Sequence, residues 1–395
     1  MMIKGIIGAV IGDIAGSDHE GRAVKTMRFS TLNKQCTITD DTVLTMAIAE
    51  WMLDRKATTV SDSLIKWATL YPHAGYGSSF KAFLEAKKQM EPGSTHNGSA
   101  MRVSPVGYLA TSLEECLELA KESAMPSHGS KDAIEAAQAT AAAIYMARTG
   151  SSKEEIRKYL TDMFGYDLSR SYEDMRAEVH HARATKHIDR EASHARIVGA
   201  KPAVQDALIA FLKGNSYEEV IRLAIYTGGD ADTEAAIAGG IAAAYYGVPE
   251  ELIKSALIYI PSDMLKIINA VDGTDWKCTG LIPPKSRRWS INDIAVYGSN
   301  ADGTVNENAY HLTYKTAYSK HFIKGHAIHV IGTDLESVKK EVEELRLRCC
   351  ENDARWHIHE IGIEKGGYTA EQYRELFSWA LGLDNVLVPP TLKGN

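Results

Sequence analysis

Thr39-Asp40-Asp41-Thr42 and Gly228-Gly229-Asp230-Ala231-Asp232-Thr233 are two acidic segments, far apart in the sequence, and each stands at the start of an apolar helical run. Carboxylate and hydroxyl oxygens are the ligands that hard divalent cations such as Mg²⁺ and Mn²⁺ prefer in proteins. If the two helix starts face each other in a helical fold, the segments together predict a site for such cations. A site of this kind suits chemistry on a substrate rich in phosphate and hydroxyl groups.

Both segments also have a simpler interpretation as helix caps. Asp and Thr are favourable N-cap residues, and acidic side chains in a first turn complement the helix dipole. One cap, however, uses one side chain, whereas the first segment offers several adjacent oxygen-bearing side chains. In the second segment two glycines let the backbone turn tightly just before Asp230. The pattern favours a metal site, and a pair of caps stays open as the alternative.

The length and composition limit the class of protein. A chain of 395 residues exceeds one ordinary domain, and an apolar content of 45% is enough for a sizeable core. With 44 basic against 51 acidic residues the net charge is −7, and the sequence has no long basic tract. The electrostatic pattern of a general nucleic-acid-binding protein is therefore missing, while a local basic groove stays open.

The cysteines indicate a reducing compartment, because their spacings fit neither a paired disulfide framework nor a zinc site. They are Cys36, Cys116, Cys278, Cys349 and Cys350. The apolar N-terminal stretch carries Gly8, Gly12 and Asp13, and no small-residue cleavage site follows it, so it does not fit a secretory signal. No segment reaches the roughly 20 apolar residues that span a bilayer. We therefore expect a cytoplasmic protein with no membrane partner.

The chain is predicted to have more than one domain. Helical periodicity dominates residues 1–271, where alanine-rich faces permit close helix packing, and this predicts an all-α domain. Glycine, proline and basic residues cluster in residues 272–289, which predicts a linker. Residues 290–395 alternate β-like runs with amphipathic helical stretches. They predict a small α/β domain with a largely parallel sheet.

Further polar segments are candidates for the site. Glu20 follows the first helix on a turn flanked by glycines, and it is either a solvated loop residue or an acid/base or metal ligand. The loop Ser94-Thr95-His96-Asn97-Gly98 leads into a helix predicted from Ser99 to Ala110. It is either a turn followed by a cap, or a loop whose backbone N–H groups and helix start bind phosphate oxygens. Other histidines lie on a charged helical stretch and are expected to be solvated: His180, His181, His187 and His194.

The chain from about Met2 to Val271 resembles the ADP-ribosylglycohydrolases in four ordered motifs. The motifs are Gly8-Ala9-Val10-Ile11-Gly12-Asp13-Ile14-Ala15-Gly16-Ser17 with Glu20, then Thr39-Asp40-Asp41-Thr42, then Asn97-Gly98-Ser99-Ala100-Met101-Arg102-Val103-Ser104-Pro105, and Gly228-Gly229-Asp230-Ala231-Asp232-Thr233 running into Ala244-Tyr245-Tyr246-Gly247. The resemblance implies a domain of orthogonal helices with a binuclear Mg²⁺ or Mn²⁺ centre. It also implies an enzyme that removes ADP-ribose from a modified protein side chain or small molecule, with an ADP-ribosylated nucleic acid left open as the acceptor.

Carried over position by position, the resemblance assigns three groups of residues. The metal ligands would be Thr39, Asp40, Asp41, Asp230, Asp232 and Thr233. Glu20 would lie near the scissile bond, and either Glu20 or a ligating aspartate such as Asp41 would assist the attack of water or protonate the leaving group. The substrate-binding residues would be Ser94, Thr95, His96, Asn97, Gly98, His128 and Gly229. For His128 the alternative is a surface histidine on a turn.

The sequence departs from the family pattern at two positions of the loop. His96 stands where a glycine is usual, and its ring is expected to reshape the ribose or leaving-group pocket. Ser94 stands where some arginine-directed members have an acidic residue. The acceptor preference of those members is therefore in doubt for this chain.

The C-terminal part resembles a small macrodomain-like module. The matching segments are Val296-Tyr297-Gly298-Ser299-Asn300-Ala301-Asp302-Gly303, His359-Glu360-Ile361-Gly362 and Asn385-Val386-Leu387-Val388-Pro389. The glycine-rich stretch that usually follows the Gly-Ser-Asn turn is replaced by Thr304-Val305-Asn306-Glu307-Asn308. Loss of these glycines hinders a close approach of the backbone to a diphosphate. Substrate recognition or packing is therefore favoured over binding of ADP-ribose there.

Two other functions stay open on the sequence. A catalytically silent ADP-ribose-binding or sensor protein would use the same fold and metals without hydrolysis, although the presence of all the predicted ligands and of Glu20 argues against it. A two-metal phosphohydrolase would release phosphate from generic esters instead of free ADP-ribose.

Overall fold

The computed structural model describes residues 2–22, 24–33, 35–87, 93–277, 293–300, 324–331, 338–340, 342–343, 346, 355–358, 369–378, 380 and 386–387. The chain divides into two compact units, Met1–Trp276 and Lys277–Asn395. The domain limits drawn from the sequence, at 1–271, 272–289 and 290–395, stay predictions.

The first unit is built of helices, as the sequence predicts. Its first helices are α1 (Ile7–Ser17), α2 (Asp40–Leu53), α3 (Val60–Leu70), α4 (Ser78–Ala86), α5 (Ser104–Leu109), α6 (Leu113–Ala124), α7 (Lys131–Arg148) and α8 (Lys153–Phe164). The next are α9 (Tyr172–Thr185), α10 (Arg190–Val198), α11 (Ala200–Lys213), α12 (Tyr217–Thr227), α13 (Ala231–Tyr246), α14 (Glu250–Ala256) and α15 (Ser262–Asp272). Two short strands, β1 (Met2–Ile3) and β2 (Val248–Pro249), pair antiparallel. Among the described residues, no helix combines the length and the apolar character needed to cross a bilayer.

Helix α1 packs against the backbone of α13 because its glycines face the contact. Gly8, Gly12 and Gly16 are spaced four residues apart and share one face of α1. A Cβ added at Gly12 would overlap the carbonyl oxygen of Ala235, and one added at Gly16 would overlap that of Ala231, while Gly8 faces the later turns of α13. The two helices therefore run antiparallel. This packing places the end of α1 beside the start of α13.

A Gly12→Ala substitution is expected to lower the free energy of unfolding by about 1–3 kcal/mol. The added methyl group would meet backbone that moves only if α1 separates from α13. The loss therefore outweighs the roughly 1 kcal/mol that Ala normally gains over Gly inside a helix. Denaturant titration of the metal-free protein measures the change. Gly77→Ser is the matched control, since a Cβ at Gly77 meets no atom within 4 Å. Equal stability of Gly12→Ala and the parent would contradict the close contact.

Asp272, at the end of α15, binds the start of α1 through hydrogen bonds. Its carboxylate accepts hydrogen bonds from the backbone N–H groups of Ile6 (2.7 Å) and Ile7 (3.1 Å), which have no partner within a helix that begins there. The sequence places Asp272 in the linker, whereas the structure has it as the last residue of α15. Burial raises the pKa of this carboxyl to about 7.

The raised pKa makes the contribution of Asp272 to stability depend on pH. In the unfolded chain the carboxyl titrates near its ordinary value of 3.8, so the folded protein holds this proton more tightly. The contribution is complete below about pH 4 and is lost as the pH rises to about 7. The unfolding free energy of the parent minus that of an Asp272→Asn variant is therefore expected to fall over this interval. A difference that stays constant with pH would contradict the assignment.

The C-terminal unit contains a parallel sheet. Its described strands are β3 (Asp293–Asn300), β4 (Lys324–Ile331), β5 (Arg355–Ile358) and β6 (Val386–Leu387), in the order β4-β3-β5-β6, and helix α16 spans Ala370–Phe377. Each described pairing in this sheet is parallel. The predicted Gly298-Ser299-Asn300 turn is instead the end of β3, with a register shift at its last residue. The segments 304–308 and 359–362 lie outside the described residues, and the macrodomain-like resemblance stays a prediction.

One predicted helix of the first unit is wrong. The segment from Ser99 to Ala110 is a 3₁₀ turn (Asn97–Ser99) followed by α5, which begins at Ser104 with Pro105 in its first turn. The physical reason is Pro105, because proline inside a continuous helix lacks an N–H donor and clashes with the preceding turn. Proline is tolerated in a first turn, and α5 accordingly starts there.

Candidate metal centre

Asp13 holds the start of α2 in place. Its carboxylate is fully buried in α1 and accepts hydrogen bonds from the N–H and hydroxyl groups of Thr39 (2.8 and 2.7 Å). The same carboxylate accepts from the N–H and hydroxyl groups of Thr42 (3.1 and 2.5 Å). Thr39 is also the N-cap of α2, where its hydroxyl accepts the N–H of Asp41 at 3.2 Å. The capping alternative is thus right for this threonine, and the cap does not use the Asp41 side chain.

The second acidic segment forms the turn between α12 and α13. Gly228 ends α12 with a φ of 81°, a conformation that L side chains rarely adopt. Gly229 has no room for a side chain, because a Cβ there would overlap the carboxylate of Glu234. Helix α13 begins at Ala231, so Asp232 and Thr233 lie inside its first turn and neither is its N-cap. The interpretation of Asp232 or Thr233 as the cap of this helix is therefore wrong.

The end of α1 and the starts of α2 and α13 converge. Carboxylate oxygens of Glu20, Asp230 and Asp232 lie within 4.8 Å of one another. The charge of Asp230 raises the pKa of Asp41, and the charge of Asp41 raises the pKa of Asp232, so the first acidic segment lies close to the second. Glu20 is exposed, whereas Asp41 and Asp232 are buried. The antiparallel packing of α1 on α13 is what brings Glu20 to this place.

The clustered carboxyl groups repel one another. Burial raises the pKa of Asp41 well above its ordinary value, and the charges of Asp13 and Asp40 raise it further. Burial likewise raises the pKa of Asp232 well above its ordinary value, with the charge of Asp230 as the next cause. A bound cation would reverse this effect, since it favours the ionised form of each carboxyl.

The donor atoms fit a hard divalent cation. Among the described residues, Oδ2 of Asp41 is buried without a hydrogen-bond partner, which is costly for a carboxylate unless another group binds it. The hydroxyl of Thr39 donates to Asp13 and accepts from Asp41, and these two bonds leave it one lone pair. Carboxylate and hydroxyl oxygens are the donors that Mg²⁺ and Mn²⁺ prefer. The acidic cluster therefore has the chemistry to hold a metal ion.

The loop of residues 94–98 lies between the acidic cluster and a buried histidine. Asn97 donates from Nδ2 to the carboxylate of Asp230 at 2.8 Å. Gly98 contacts the ring of His128, since a Cβ at this glycine would lie 2.6 Å from Nε2. His128 is only 4% exposed, so the alternative of a surface histidine is wrong.

A buried arginine supports this histidine. Ser127 accepts a hydrogen bond from Nη2 of Arg102 (3.0 Å), and its hydroxyl lies 2.8 Å from Nδ1 of His128. Burial lowers the pKa of His128 well below its ordinary value, and the charge of Arg102 lowers it further, so the imidazole is neutral. The Ser127 hydroxyl thus links the guanidinium of Arg102 to Nδ1 of the imidazole, and Nε2 faces Gly98.

The loop offers less backbone to a phosphate than the sequence suggests. The N–H of Ser94 donates to the carbonyl of Ser127 (3.0 Å), and the N–H of His96 donates to the hydroxyl of Ser94 (3.2 Å). The helix start expected at Ser99 is a single 3₁₀ turn. The helix N-terminus expected at Ser99 is therefore absent, and binding of phosphate oxygens by the loop stays a prediction. A role of the loop side chains in binding substrate stays a prediction.

Thr95 and His96 line a cavity of about 700 Å³, a size typical of small-molecule sites. Much of the remaining lining comes from α10 and the start of α11. The rings of His96 and His194 meet edge to face, with 4.8 Å between their centroids. His194 is exposed, as expected from the sequence. His180 is not solvated as expected, because it is half-buried on α9 with its Nε2 enclosed.

Three residues of this region have no role in the sequence predictions. The sequence does indicate a special role for Asp13, because it is the one charged residue in the apolar helix α1. Arg102 is buried, although it lies in the segment from Ser99 to Ala110 that the sequence predicts as a helix, and nothing in that segment indicates its burial. Arg183 on α9 donates hydrogen bonds to the carbonyl oxygens of Gly228 and Gly229. Nothing in the sequence around Arg183 indicates this contact.

The comparisons with known proteins give the family of this chain. A family model described as ADP-ribosylglycohydrolase matches residues 2–271, and this makes the protein a glycohydrolase enzyme. The chain belongs to the ADP-ribosylglycohydrolase family.

Its relatives include ADP-ribosylhydrolase ARH3 of Homo sapiens, which is 27% identical over 328 residues, an alignment that covers 66% of this chain and 90% of the relative. ADP-ribosylhydrolase ARH3 of Mus musculus is 26% identical over 326 residues, with 66% of this chain and 88% of the relative covered. A solved structure titled ADP-ribosylglycohydrolase-related protein complex is 25% identical, with a TM-score of 0.48, and the match covers 69% of this chain and 96% of that one.

Proposed function

We propose that the protein is a metal-dependent ADP-ribosyl hydrolase. It cleaves the glycosidic bond between ADP-ribose and a modified protein side chain or small molecule, and it releases ADP-ribose. The observation that carries this proposal is that carboxyl groups from three separate parts of the chain lie close together. They belong to Glu20, to Asp41, and to Asp230 and Asp232. The relatives named ADP-ribosylhydrolase support the same class of substrate.

Two divalent cations, Mg²⁺ or Mn²⁺, are the proposed cofactors. Their ligands would be Thr39, Asp40, Asp41, Asp230, Asp232 and Thr233. When bound there, such cations would lower the pKa of a water molecule and stabilise charge on the ribose hydroxyls. The unpartnered oxygen of Asp41 and the raised pKa values of Asp41 and Asp232 support this assignment.

Glu20 is the proposed acid/base residue. It is exposed beside Asp230 and Asp232, and this position supports a residue that would contact both solvent and the group to which ADP-ribose is attached. It would protonate the leaving group or accept a proton from the attacking water, and Asp41 is the second candidate for the base. The transition state of glycoside cleavage has oxocarbenium character. Carboxylates around the ribose favour this positive charge.

The loop of residues 94–98, with His128 and Gly229, would orient the substrate. Asn97 already contacts Asp230, so it would hold the loop against the ribose end of the site. The cavity beside Thr95 and His96 has room for the remaining part of the nucleotide. The ring of His96, fixed against His194, would narrow this pocket relative to a glycine at the same position.

A panel of defined ADP-ribosyl conjugates tests the proposal. The panel contains arginine-linked, serine-linked and nucleic-acid-linked ADP-ribose and O-acetyl-ADP-ribose, each assayed after chelation and again with added Mg²⁺ or Mn²⁺. The expected result is cation-dependent release of free ADP-ribose from at least one conjugate. Binding of ADP-ribose without release would indicate the silent sensor protein. Release of phosphate from generic esters, without free ADP-ribose, would indicate the two-metal phosphohydrolase.

We also propose a cytoplasmic location and a role of the C-terminal macrodomain-like unit in substrate recognition or packing. Cys36 and Cys116 are free and buried, which supports a reducing compartment. The parallel pairing of β3, β4, β5 and β6 supports an α/β unit.

A further inference from the structure

Arg183 donates two hydrogen bonds to the turn that carries the second acidic segment. From the last turns of α9, its Nε donates to the carbonyl oxygen of Gly228, and its Nη2 donates to that of Gly229 at 2.6 Å. These are the two carbonyl groups immediately before Asp230. The planar guanidinium is suited to this contact, because its donors point in fixed directions at two acceptors at once. The side chain is half-buried, so the contact is partly shielded from water.

The shape of the turn depends on the groups packed around it. Two consecutive glycines give the backbone wide conformational freedom and no side chains of their own. On one side the carboxylate of Glu234 fills the space that a Cβ at Gly229 would need, and Thr227 donates from its hydroxyl to that carboxylate. Arg183 supplies hydrogen bonds to the carbonyl groups of the turn. Together these contacts set the direction in which the chain enters α13.

We propose that Arg183 is a positioning residue for the metal centre: by fixing the two glycine carbonyls it holds Asp230 and Asp232 in the geometry that binds divalent cations. The inference rests on the proposed metal-dependent function and adds to it a residue outside the ligand set. Groups that orient ligands from behind typically contribute about 10- to 100-fold to metal affinity. The positive charge of Arg183 acts in the opposite direction, because it repels a cation bound nearby. Weaker Mn²⁺ binding without Arg183 would therefore indicate the positioning role, and tighter binding would indicate that repulsion by its charge dominates.

Isothermal titration of the metal-free full-length protein with Mn²⁺ tests the proposal. An Arg183→Ala variant is expected to bind Mn²⁺ about 10- to 100-fold more weakly than the parent. An Arg183→Lys variant keeps the charge and a donor but loses the planar fork, so its affinity is expected to fall between the two. Arg148→Ala is the matched control. Arg148 also ends a helix and donates to two carbonyl groups, those of Gly107 and Ala110, but it makes no contact with the metal turn.

Unchanged or tighter Mn²⁺ binding by Arg183→Ala would overturn the positioning role, and so would an equal loss in Arg148→Ala. Thermal unfolding without metal checks that each variant is folded. If Arg183→Ala does not fold, the Arg183→Lys variant tests the proposal instead. A Mn²⁺ affinity equal to that of the parent in Arg183→Lys would show that the two hydrogen bonds of the planar guanidinium do not position the metal ligands. If the parent itself binds no Mn²⁺, the proposed metal centre is wrong. Failure of the inference alone would instead show as tight Mn²⁺ binding in the parent, with Arg183→Ala either binding as tightly as the parent or losing no more affinity than Arg148→Ala.

Discussion

An Asp41→Asn substitution is expected to abolish Mn²⁺ binding and ADP-ribose release together, with an affinity loss of more than about 100-fold. The amide keeps the shape of the side chain but removes the charge that a hard cation requires. The metal-free variant is expected to be at least as stable as the parent. Asp41 is buried among other carboxyl groups that raise its pKa, so a neutral side chain relieves their repulsion. Thermal unfolding should show a higher metal-free Tm and no further rise when Mn²⁺ is added.

Asp54→Asn serves as the control for this variant. Asp54 lies at the opposite, exposed end of α2, where its carboxylate accepts the N–H of Ala57. This variant should keep the parent's Mn²⁺-induced rise in Tm and its activity. A parent-like rise in Tm for Asp41→Asn would show that Asp41 is not a ligand.

An Asp13→Asn substitution is expected to destabilise the protein by at least about 2 kcal/mol and to weaken Mn²⁺ binding. The carboxylate of Asp13 accepts two N–H and two hydroxyl hydrogen bonds from Thr39 and Thr42. An amide has one acceptor oxygen, so even with that oxygen in the place of Oδ2 the hydroxyl of Thr39 would lose its acceptor and face an NH₂ group. The start of α2 would then shift, and Asp41 with it. Denaturant titration and Mn²⁺ titration measure the two effects.

Asp263→Asn is the control for Asp13→Asn. Asp263 is remote from the acidic cluster in the sequence and accepts a hydrogen bond from the hydroxyl of Tyr71, for which the amide oxygen is an adequate substitute. A small loss of stability with unchanged Mn²⁺ affinity is expected for this variant. If Asp13→Asn lost stability but kept the parent's Mn²⁺ affinity, Asp13 would be a structural residue only.

Much of the candidate site could be predicted from the sequence because its parts are local. Thr39 to Thr42 and Asp230 to Thr233 are contiguous, and each stands at a helix start whose apolar continuation is plain in the sequence. The structure then adds the meeting of the two segments. That meeting depends on the packing of α1 on α13, in which the glycines of α1 admit the backbone of the other helix. The spacing of the glycines in α1 does not by itself identify the helix that packs against them.

The residues that support the site could not be predicted in the same way. Asp13 acts on α2 through hydrogen bonds to Thr39 and Thr42, and Arg183 acts on a turn that lies more than two helices further along the chain. Arg102 is buried and donates a hydrogen bond to Ser127, which lies on a later part of the chain. In each case the partner is distant in sequence, and local patterns carry no information about such pairs. The helix predicted from Ser99 is wrong for a local reason, because Pro105 favours the first turn of a helix over its interior.

Anomalous diffraction from crystals grown with Mn²⁺ tests the central claim most directly, namely that the two acidic segments form one binuclear metal centre. The account predicts two Mn²⁺ peaks between the starts of α2 and α13, with Asp41 and Asp232 among the ligands and Glu20 nearby. Crystals of Asp41→Asn grown under the same conditions should lose at least one peak. Absence of Mn²⁺ between the two helix starts of the parent protein, or its presence only elsewhere on the chain, would contradict the account.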